Sequence, residues 1–303
     1  GKCGACEKFC PSGAINFHDA ERTLTLQVGS IILAPGYKAF DPSRFDNYAW
    51  ANLADVVTAL EFERILSATG PYEGHLLRPS AASQQRPPRK IAWVQCVGSR
   101  DINRCENGYC SAVCCTIAVK QSVMAKEHCA GPLDCAIFYM DMRAYGKGFE
   151  RYRQQAEGVH GIRFERGRIH SVIQDDNRAN LIIRNVALSG EFKETKADMV
   201  VLSVGQRPAA STSELAEILG LDLNSWGFGQ TAPFSLTRTG QAGILLGGSF
   251  TGLKDIGDSV TEASAAAISA SRVIHAGGGS LALETPQAVP ITDVTRELPR
   301  ILV

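Results

Sequence analysis

Five cysteines lie within twenty residues in the first half of the chain, and their spacing is typical of a metal centre. They are Cys96, Cys105, Cys110, Cys114 and Cys115. The adjacent residues Cys114 and Cys115 are a poor disulfide pair, because neighbouring side chains rarely reach disulfide geometry without strain. A metal centre can bind both thiolates. We therefore predict metal ligation here, and the alternative is a group of buried structural cysteines.

The position of this group in the chain is also informative. Residues 91–97 are predicted to form a strand and residues 113–126 a helix, with the cysteines in and around the loop between them. In a dinucleotide-binding domain this loop carries glycines that bind the pyrophosphate at the helix N-terminus. Because a helix N-terminus favours negative charge, we expect it to stabilise a thiolate-ligated cluster as well.

A second group of cysteines begins the sequence. Cys3, Cys6 and Cys10, followed by Pro11, have the spacing of the last three cysteines of a bacterial ferredoxin run, whose first cysteine would fall just before Gly1. We predict a cuboidal iron-sulfur cluster, in which Cys10 is also able to serve a different cluster from Cys3 and Cys6. The alternatives are a zinc knuckle and a redox dithiol.

Other residues that could do chemistry give weaker signals. Cys129 and Cys135 each stand alone near apolar residues, so we predict that they pack in a core. The six histidines are scattered without metal-ligand spacing. A basic group on or just before the helix at 148–156, Arg143, Lys147 and Arg151, could bind a nucleotide phosphate or an acidic partner. The preferred interpretation is that these residues lie on a solvated helix face.

Composition limits the classes of function. The 303 residues are 45% hydrophobic and carry a formal net charge of zero, which indicates a globular chain without a nucleic-acid footprint. No apolar run approaches the roughly 20 residues of a membrane-spanning helix, and the chain begins with cysteines rather than an export signal. We therefore predict a cytoplasmic protein that is not an integral membrane protein, with reduced thiols.

The pattern of apolar residues predicts alternating strands and helices, hence an α/β fold. The other predicted strands cover residues 23–28, 30–36, 135–141, 168–173, 181–186, 198–204 and 242–248. Predicted helices cover residues 148–156 and 259–274, and a further helix begins at Thr58, which has capping-box spacing to Glu61. Residues 71–90 are predicted to be a surface connection between two lobes.

Three stretches, residues 95–120, 138–148 and 248–260, resemble the family of A-type subunits of heterodisulfide reductase, and the Cys114-Cys115 loop is the most specific of them. The A-type subunits of quinone-interacting oxidoreductase complexes are similar. The resemblance implies an α/β, thioredoxin-reductase-like FAD/NAD(P)-binding fold of the three-layer ββα type, with a ferredoxin-type iron-sulfur insertion. Since no Gly-x-Gly-x-x-Gly occurs in the sequence, the main FAD pyrophosphate loop is expected upstream, and the C-terminus is expected to be cut as well.

The family pattern also implies sites and domains. The implied ligands of a 4Fe-4S cluster near the flavin are Cys96, Cys110, Cys114 and Cys115, with Cys105 a spare or alternative ligand. The residues implied along the FAD are Gly36, Gly247, Gly248, Lys254 and Asp255. The implied segments are the end of a ferredoxin-like unit (1–22), part of the FAD-binding domain (23–80), a nucleotide-type domain with the cluster loop (90–205), a return to the FAD-binding domain (206–279) and a tail (280–303).

The resemblance implies electron relay between FAD and 4Fe-4S clusters, and onward to other subunits of a heterodisulfide reductase-like or quinone-interacting complex. A ferredoxin or a hydrogenase or dehydrogenase module is a further expected partner. The rival enzyme class is a pyridine-nucleotide disulfide oxidoreductase, which needs an intact phosphate loop and a lone C-x-x-C. A third interpretation is a non-catalytic scaffold stapled by clusters or zinc.

Overall fold

The computed structural model of the chain describes residues 3–177 and 180–277. Within them the strands are β1 (Ile31–Leu33), β2 (Tyr37–Ala39), β3 (Val56–Thr58), β4 (Lys90–Val97), β5 (Asp134–Tyr139), β6 (Arg163–Gln174), β7 (Leu181–Ala187), β8 (Phe192–Ala197), β9 (Met199–Val204), β10 (Gln206–Pro208) and β11 (Ile244–Leu246). The α-helices are α1 (Ala5–Lys8), α2 (Ala59–Leu66), α3 (Ile102–Cys105), α4 (Cys114–His128), α5 (Phe149–Gly158), α6 (Thr212–Leu219) and α7 (Ile256–Ala276).

A seven-stranded sheet in the order β3-β9-β4-β5-β6-β7-β8 forms the centre of the fold. Strands β3, β9, β4 and β5 are parallel, and β6 continues the parallel pairing before it turns into an antiparallel ladder with β7 and β8. Every residue of β9 is buried, because helices and strands cover both faces of the parallel part. The apolar runs of the sequence therefore correspond to the innermost strands.

Three layers enclose two cores. On one face of the parallel strands, Phe62 of α2 packs edge-on against Trp93 of β4, in a core completed by helices α4 and α5. On the other face, Val94 of β4 belongs to a second core with Val172 of β6 and Ile183 of β7. The long strand β6 thus lets the antiparallel strands fold back over the sheet. This arrangement confirms the α/β class and the ββα layering.

Local sequence signals fix several of these elements. The predicted capping box is present, since Thr58 Oγ1 accepts from Glu61 N at 3.2 Å and Glu61 accepts from Thr58 N at 2.7 Å. The connection 71–90 is partly fastened to the sheet: the buried carboxylate of Asp55 accepts from Arg78 at 2.7 Å and from Ser80 N at 2.9 Å. Leu76 is buried in the same connection.

Three sequence predictions need correction. Residues 23–28 form no strand in the structure, because Leu24 and Leu26 are exposed and pair with no neighbouring strand. Strand β1 is parallel as predicted but not buried, since Ile32 remains 46% exposed. Strand β8 was not predicted, because it lies at the outer edge of the sheet and its side chains are mostly charged and exposed, without an alternating apolar pattern.

The predicted tail, residues 280–303, lies outside the described residues. In the part of the chain that is described, no helix combines the length and the apolar character needed to cross a bilayer.

Candidate metal centre

Four of the five clustered cysteines meet at one cavity. Cys96 lies near the end of β4, Cys110 in the following loop, and Cys114 and Cys115 open helix α4, and all four line the cavity. The fifth, Cys105, is 3% exposed at the end of α3 and belongs to the core beneath the loop. The structure therefore places Cys105 apart from the other four, which favours the spare role implied by the resemblance.

The loop reaches this geometry through left-handed backbone conformations. Cys96 and Ala112 have φ values of 62° and 63°, a region that residues with a Cβ seldom occupy. Such strain is typical of functional sites, where surrounding contacts hold the backbone in place. Gly98, with φ 76°, passes so close to Phe40 that an added Cβ would lie 2.1 Å from the ring. Glycine is therefore required at this point of the loop.

Buried hydrogen bonds hold the two ends of the loop together. Ser99 Oγ lies 2.6 Å from Ser111 Oγ, and Ser111 Oγ accepts from the backbone N–H of Gln206 at 2.9 Å. Asn107 donates to the carbonyl of Gly98 at 2.9 Å. Because these bonds are shielded from water, they fix the relative positions of the cysteines that precede and follow them.

Burial and mutual repulsion set the protonation state of the thiols in the cavity. Burial raises the pKa of Cys96 to about 11, and burial also raises the pKa values of Cys114 and Cys115. Neighbouring thiolates act in the same direction, because like charges disfavour ionisation. Without a metal these thiols are protonated near neutral pH. Binding of iron would ionise them and release protons.

The donor set suits a cluster better than a single ion. A tetrahedral zinc ion with bonds of about 2.3 Å brings its sulfur ligands to roughly 3.8 Å from one another. Across residues 3–177 and 180–277, no group of three potential ligands is close enough to hold one metal ion. Four thiols line one cavity, and four cysteine thiolates are the ligand set of a 4Fe-4S cluster. The cysteines therefore fit a 4Fe-4S cluster.

Two arginines and an aspartate complete the cavity walls. Asp141, just beyond β5, accepts hydrogen bonds from Arg100 and, at 2.9 Å, from Nε of Arg143. All three residues line the cavity with the cysteines. The prediction that Arg143 lies on a solvated helix face is thus wrong, because its backbone precedes α5 and turns towards the loop after β4. Lys147 and Arg151 are exposed as predicted.

Sequence reasoning missed Arg100 and Asp141, although a signal for them exists. Each follows the carboxyl end of a parallel strand, β4 or β5, and these two strands are neighbours in the sheet. Carboxyl ends of adjacent parallel strands meet at one edge, which is where ligands bind in such sheets. A search for polar residues at both positions would have brought them together with Cys96.

The first cysteine group lies at the surface. Cys3 and Cys6 are exposed and Cys10 is half-buried, around the short helix α1. Cys10 Sγ accepts from Ala14 N at 3.4 Å, and the hydroxyl of Ser12 is the main cause that lowers the pKa of Cys10 to about 7. The predicted cluster at these residues remains a prediction.

The glycines predicted to line FAD lie at one edge of a second sheet. Strands β1 and β11 pair in parallel, and Gly247 N donates to Leu33 O at 3.0 Å where both strands end. Around Gly36, Gly247 and Gly248 an added Cβ would meet no atom within 4 Å, so a ligand can approach the backbone closely. This is the position at which parallel sheets bind nucleotides.

The remaining two predicted FAD residues differ in their surroundings. Lys254 Nζ pairs with Glu262 at 2.5 Å, and both side chains are nearly buried, so a cofactor phosphate would have to compete with Glu262 for Lys254. Asp255 caps helix α7 by accepting from Asp258 N at 2.8 Å. Asp255 also lines a small cavity together with Ala112 and Val113 of the cysteine loop. The two candidate cofactor sites are therefore adjacent.

Similarity to known proteins is extensive in sequence. The chain is 38% identical over 296 residues to the A-type iron-sulfur subunit of the CoB–CoM heterodisulfide reductase of Methanocaldococcus jannaschii, covering 97% of this chain and 44% of that protein. It is 34% identical over 295 residues to the A-type subunit of the H2:CoB-CoM heterodisulfide,ferredoxin reductase of Methanothermobacter thermautotrophicus, covering 97% and 44%. The chain thus spans less than half the length of these relatives. No protein-family model matches it.

Structural likeness is looser. The thioredoxin reductase of T. acidophilum aligns with a TM-score of 0.49 and 12% identity, over 83% of this chain and 66% of that one. The thioredoxin reductase of Lactococcus lactis aligns with a TM-score of 0.48 and 18% identity, over 82% and 66%. The sequence relatives decide the assignment: over nearly its whole length, this chain belongs to the family of heterodisulfide reductase A-type subunits.

Proposed function

We propose that this chain is an iron-sulfur flavoprotein segment of an oxidoreductase, which relays electrons between FAD and 4Fe-4S clusters. The observation that carries the proposal is the convergence of Cys96, Cys110, Cys114 and Cys115 on one cavity. Four thiolates bind a 4Fe-4S cluster, and the cluster when bound supplies one-electron transfer.

The residues of the chain have separate tasks in this proposal. The thiolates bind iron, and the N-terminus of α4 faces the resulting negative charge with its partial positive charge. The buried Ser99–Ser111 pair keeps the ligands in position. The core around Phe40 and Cys105 excludes water from one side of the loop, which strengthens every electrostatic interaction with the cluster.

FAD is proposed to bind where β1 and β11 end. Gly36, Gly247 and Gly248 would let its phosphates or ring approach the backbone, and Asp255 and Lys254 would stand at the start of α7. Because Asp255 shares a cavity with residues Ala112 and Val113 of the cluster loop, the flavin and the cluster would be close. A flavin carries two electrons and a cluster one, so their proximity suits electron relay.

The wider assembly is proposed from the names of the relatives. Those names describe subunits that act on the CoB–CoM heterodisulfide, in one case with hydrogen and a ferredoxin. We propose that this chain works in a comparable complex in the cytoplasm, with disulfide-reducing or quinone-linked subunits and a ferredoxin, hydrogenase or dehydrogenase module as partners. The predicted cluster at Cys3, Cys6 and Cys10 would serve as a second electron-transfer centre.

Anaerobic reconstitution of the 303-residue chain tests the proposal. Iron, sulfide, zinc and flavin are measured, and the dithionite-reduced protein is examined by EPR. A Cys114→Ser, Cys115→Ser variant is expected to lose one cluster's iron and its EPR signal. The matched control is Cys129→Ser, a half-buried cysteine outside the cavity, which should retain both.

Two results would reject the proposal. Stoichiometric zinc without sulfide would favour a metal-stapled scaffold. Metal-free thiols that cycle with a pyridine nucleotide would favour a disulfide oxidoreductase, which uses a dithiol instead of a cluster.

A further inference from the structure

The cavity that holds the four thiols also has a charged wall. We propose that Arg100 and Arg143, both held by Asp141, raise the reduction potential of the cluster bound by the four cysteines. The inference rests on the proposed cluster and names the residues that would tune it. Arginine in this position would favour the reduced cluster and so direct electrons towards it.

The three residues form a clamp over the cavity. Asp141 accepts from Arg100 through one carboxylate oxygen and from Nε of Arg143, at 2.9 Å, through the other. Their side chains are 24% exposed for Arg100, 40% for Arg143 and 38% for Asp141, so the group stands where the cavity meets solvent. The bridging carboxylate fixes two guanidinium groups that would otherwise repel each other.

Each arginine faces particular ligands. Arg100 follows Cys96 by four residues, just beyond the end of β4, and both residues line the cavity. Arg143 lines the cavity beside Cys110 and Cys115, and its Nε donates to Asp141. Both arginines therefore share the cavity with all four thiols.

The sign of the effect follows from the charges. The two arginines and Asp141 together carry a net charge of +1, and reduction adds a negative charge to a cluster already bound by four thiolates. A nearby positive charge stabilises the more negative state, and hydrogen bonds to the ligand sulfurs act in the same direction. Loss of one arginine should therefore lower the reduction potential.

A purely structural role would predict something different. If the clamp only joins the loop after β4 to the loop after β5, its removal would change stability but leave the potential of a correctly bound cluster unchanged. The reduction potential therefore separates tuning from scaffolding, whereas iron content and thermal stability do not.

The experiment is an EPR-monitored redox titration of the reconstituted 303-residue chain and its Arg143→Gln, Arg143→Lys and Arg151→Gln variants. Arg143→Gln removes the charge, and the ratio of reduced to oxidised cluster at a fixed potential should fall roughly tenfold, a shift of about 59 mV for one electron. Arg143→Lys keeps the charge and should lie between Arg143→Gln and the native chain. Arg151→Gln removes an exposed charge outside the cavity and should not shift the potential.

The outcomes are distinguishable from failure of the proposed function. A native chain without a cluster would reject the proposed function itself. A bound cluster with the same potential in Arg143→Gln and in the native chain would overturn the tuning role alone. If Arg143→Gln does not bind a cluster, the redox titration is carried out on Arg100→Gln. Loss of the cluster in both variants would show that the arginines are needed for cluster assembly and would overturn the tuning role.

Discussion

Replacing Gly98 with alanine should destabilise the chain through one identifiable contact. The residue is buried in the loop between β4 and α3, has φ 76°, and would place a Cβ 2.1 Å from Cγ of Phe40. Phe40 is 2% exposed in the core under the loop, so its ring has little freedom to move away. The substitution therefore combines backbone strain with overpacking.

The magnitude can be worked out by comparison with Gly190, which has φ 83° and open space around an added Cβ. There, a left-handed penalty of about 1–2 kcal/mol is partly offset by about 0.4–1 kcal/mol from the less flexible unfolded chain. Gly190→Ala should therefore cost about 1 kcal/mol. Overpacking adds about 1–3 kcal/mol at Gly98, so Gly98→Ala should cost about 3 kcal/mol.

Urea-induced unfolding of the metal-free, reduced chain, followed by circular dichroism, measures both variants. A double-mutant cycle with Phe40→Ala then isolates the contact. In the Phe40→Ala background the ring is gone, so Gly98→Ala should cost no more than Gly190→Ala, which corresponds to a coupling of about 2 kcal/mol. Equal costs for Gly98→Ala with and without the Phe40 ring would refute the proposed clash.

Two further predictions concern groups away from the metal centre. Asp55→Ala should lower the free energy of unfolding by about 3 kcal/mol, because it leaves Arg78 without its buried partner. The control in the same urea assay is Asp46→Ala, at an exposed aspartate. Similar costs for the two variants would contradict the reasoning. Burial raises the pKa of Cys135 to about 12, so its thiolate fraction at pH 8 is about 10⁻⁴. Iodoacetamide at that pH should leave Cys135 unmodified in the folded chain and modify it in urea, which mass spectrometry of the peptides would measure. Rapid labelling of Cys135 in the folded chain would contradict its burial.

Sequence reasoning succeeded where a local pattern determines the structure. The Thr58–Glu61 capping box and the apolar runs of β4 and β9 depend on neighbouring residues alone, so they are readable from the chain. The convergence of Cys96 with Cys114 also follows from a local strand-loop-helix unit. The packing of Cys135 in a core was predicted from its apolar neighbours.

The unsuccessful predictions depend on contacts between distant segments. Leu24 and Leu26 alternate as in a strand, but a strand also needs a partner, and none pairs with them in the described residues. Arg143 was placed on a solvated face, because its approach to the cysteine loop depends on how β4 and β5 pair. Cys105 could not be separated from its neighbours by spacing alone, since its burial depends on α3.

The position of β9 between β3 and β4 has a consequence for biosynthesis. Strand β9 is the last of the seven strands in the chain. It nevertheless lies between the first two, β3 and β4, which form no hydrogen bonds with each other in the sheet. Its end also lies against the cysteine loop, since Gly205 N donates to Val97 O at 2.7 Å and Val204 O lies 3.8 Å from Cys114 Sγ. A nascent chain that ends before Met199 therefore carries all four cysteines but lacks the strand that contacts the start of α4. The cysteine loop therefore reaches its native packing only after β9 has been synthesised.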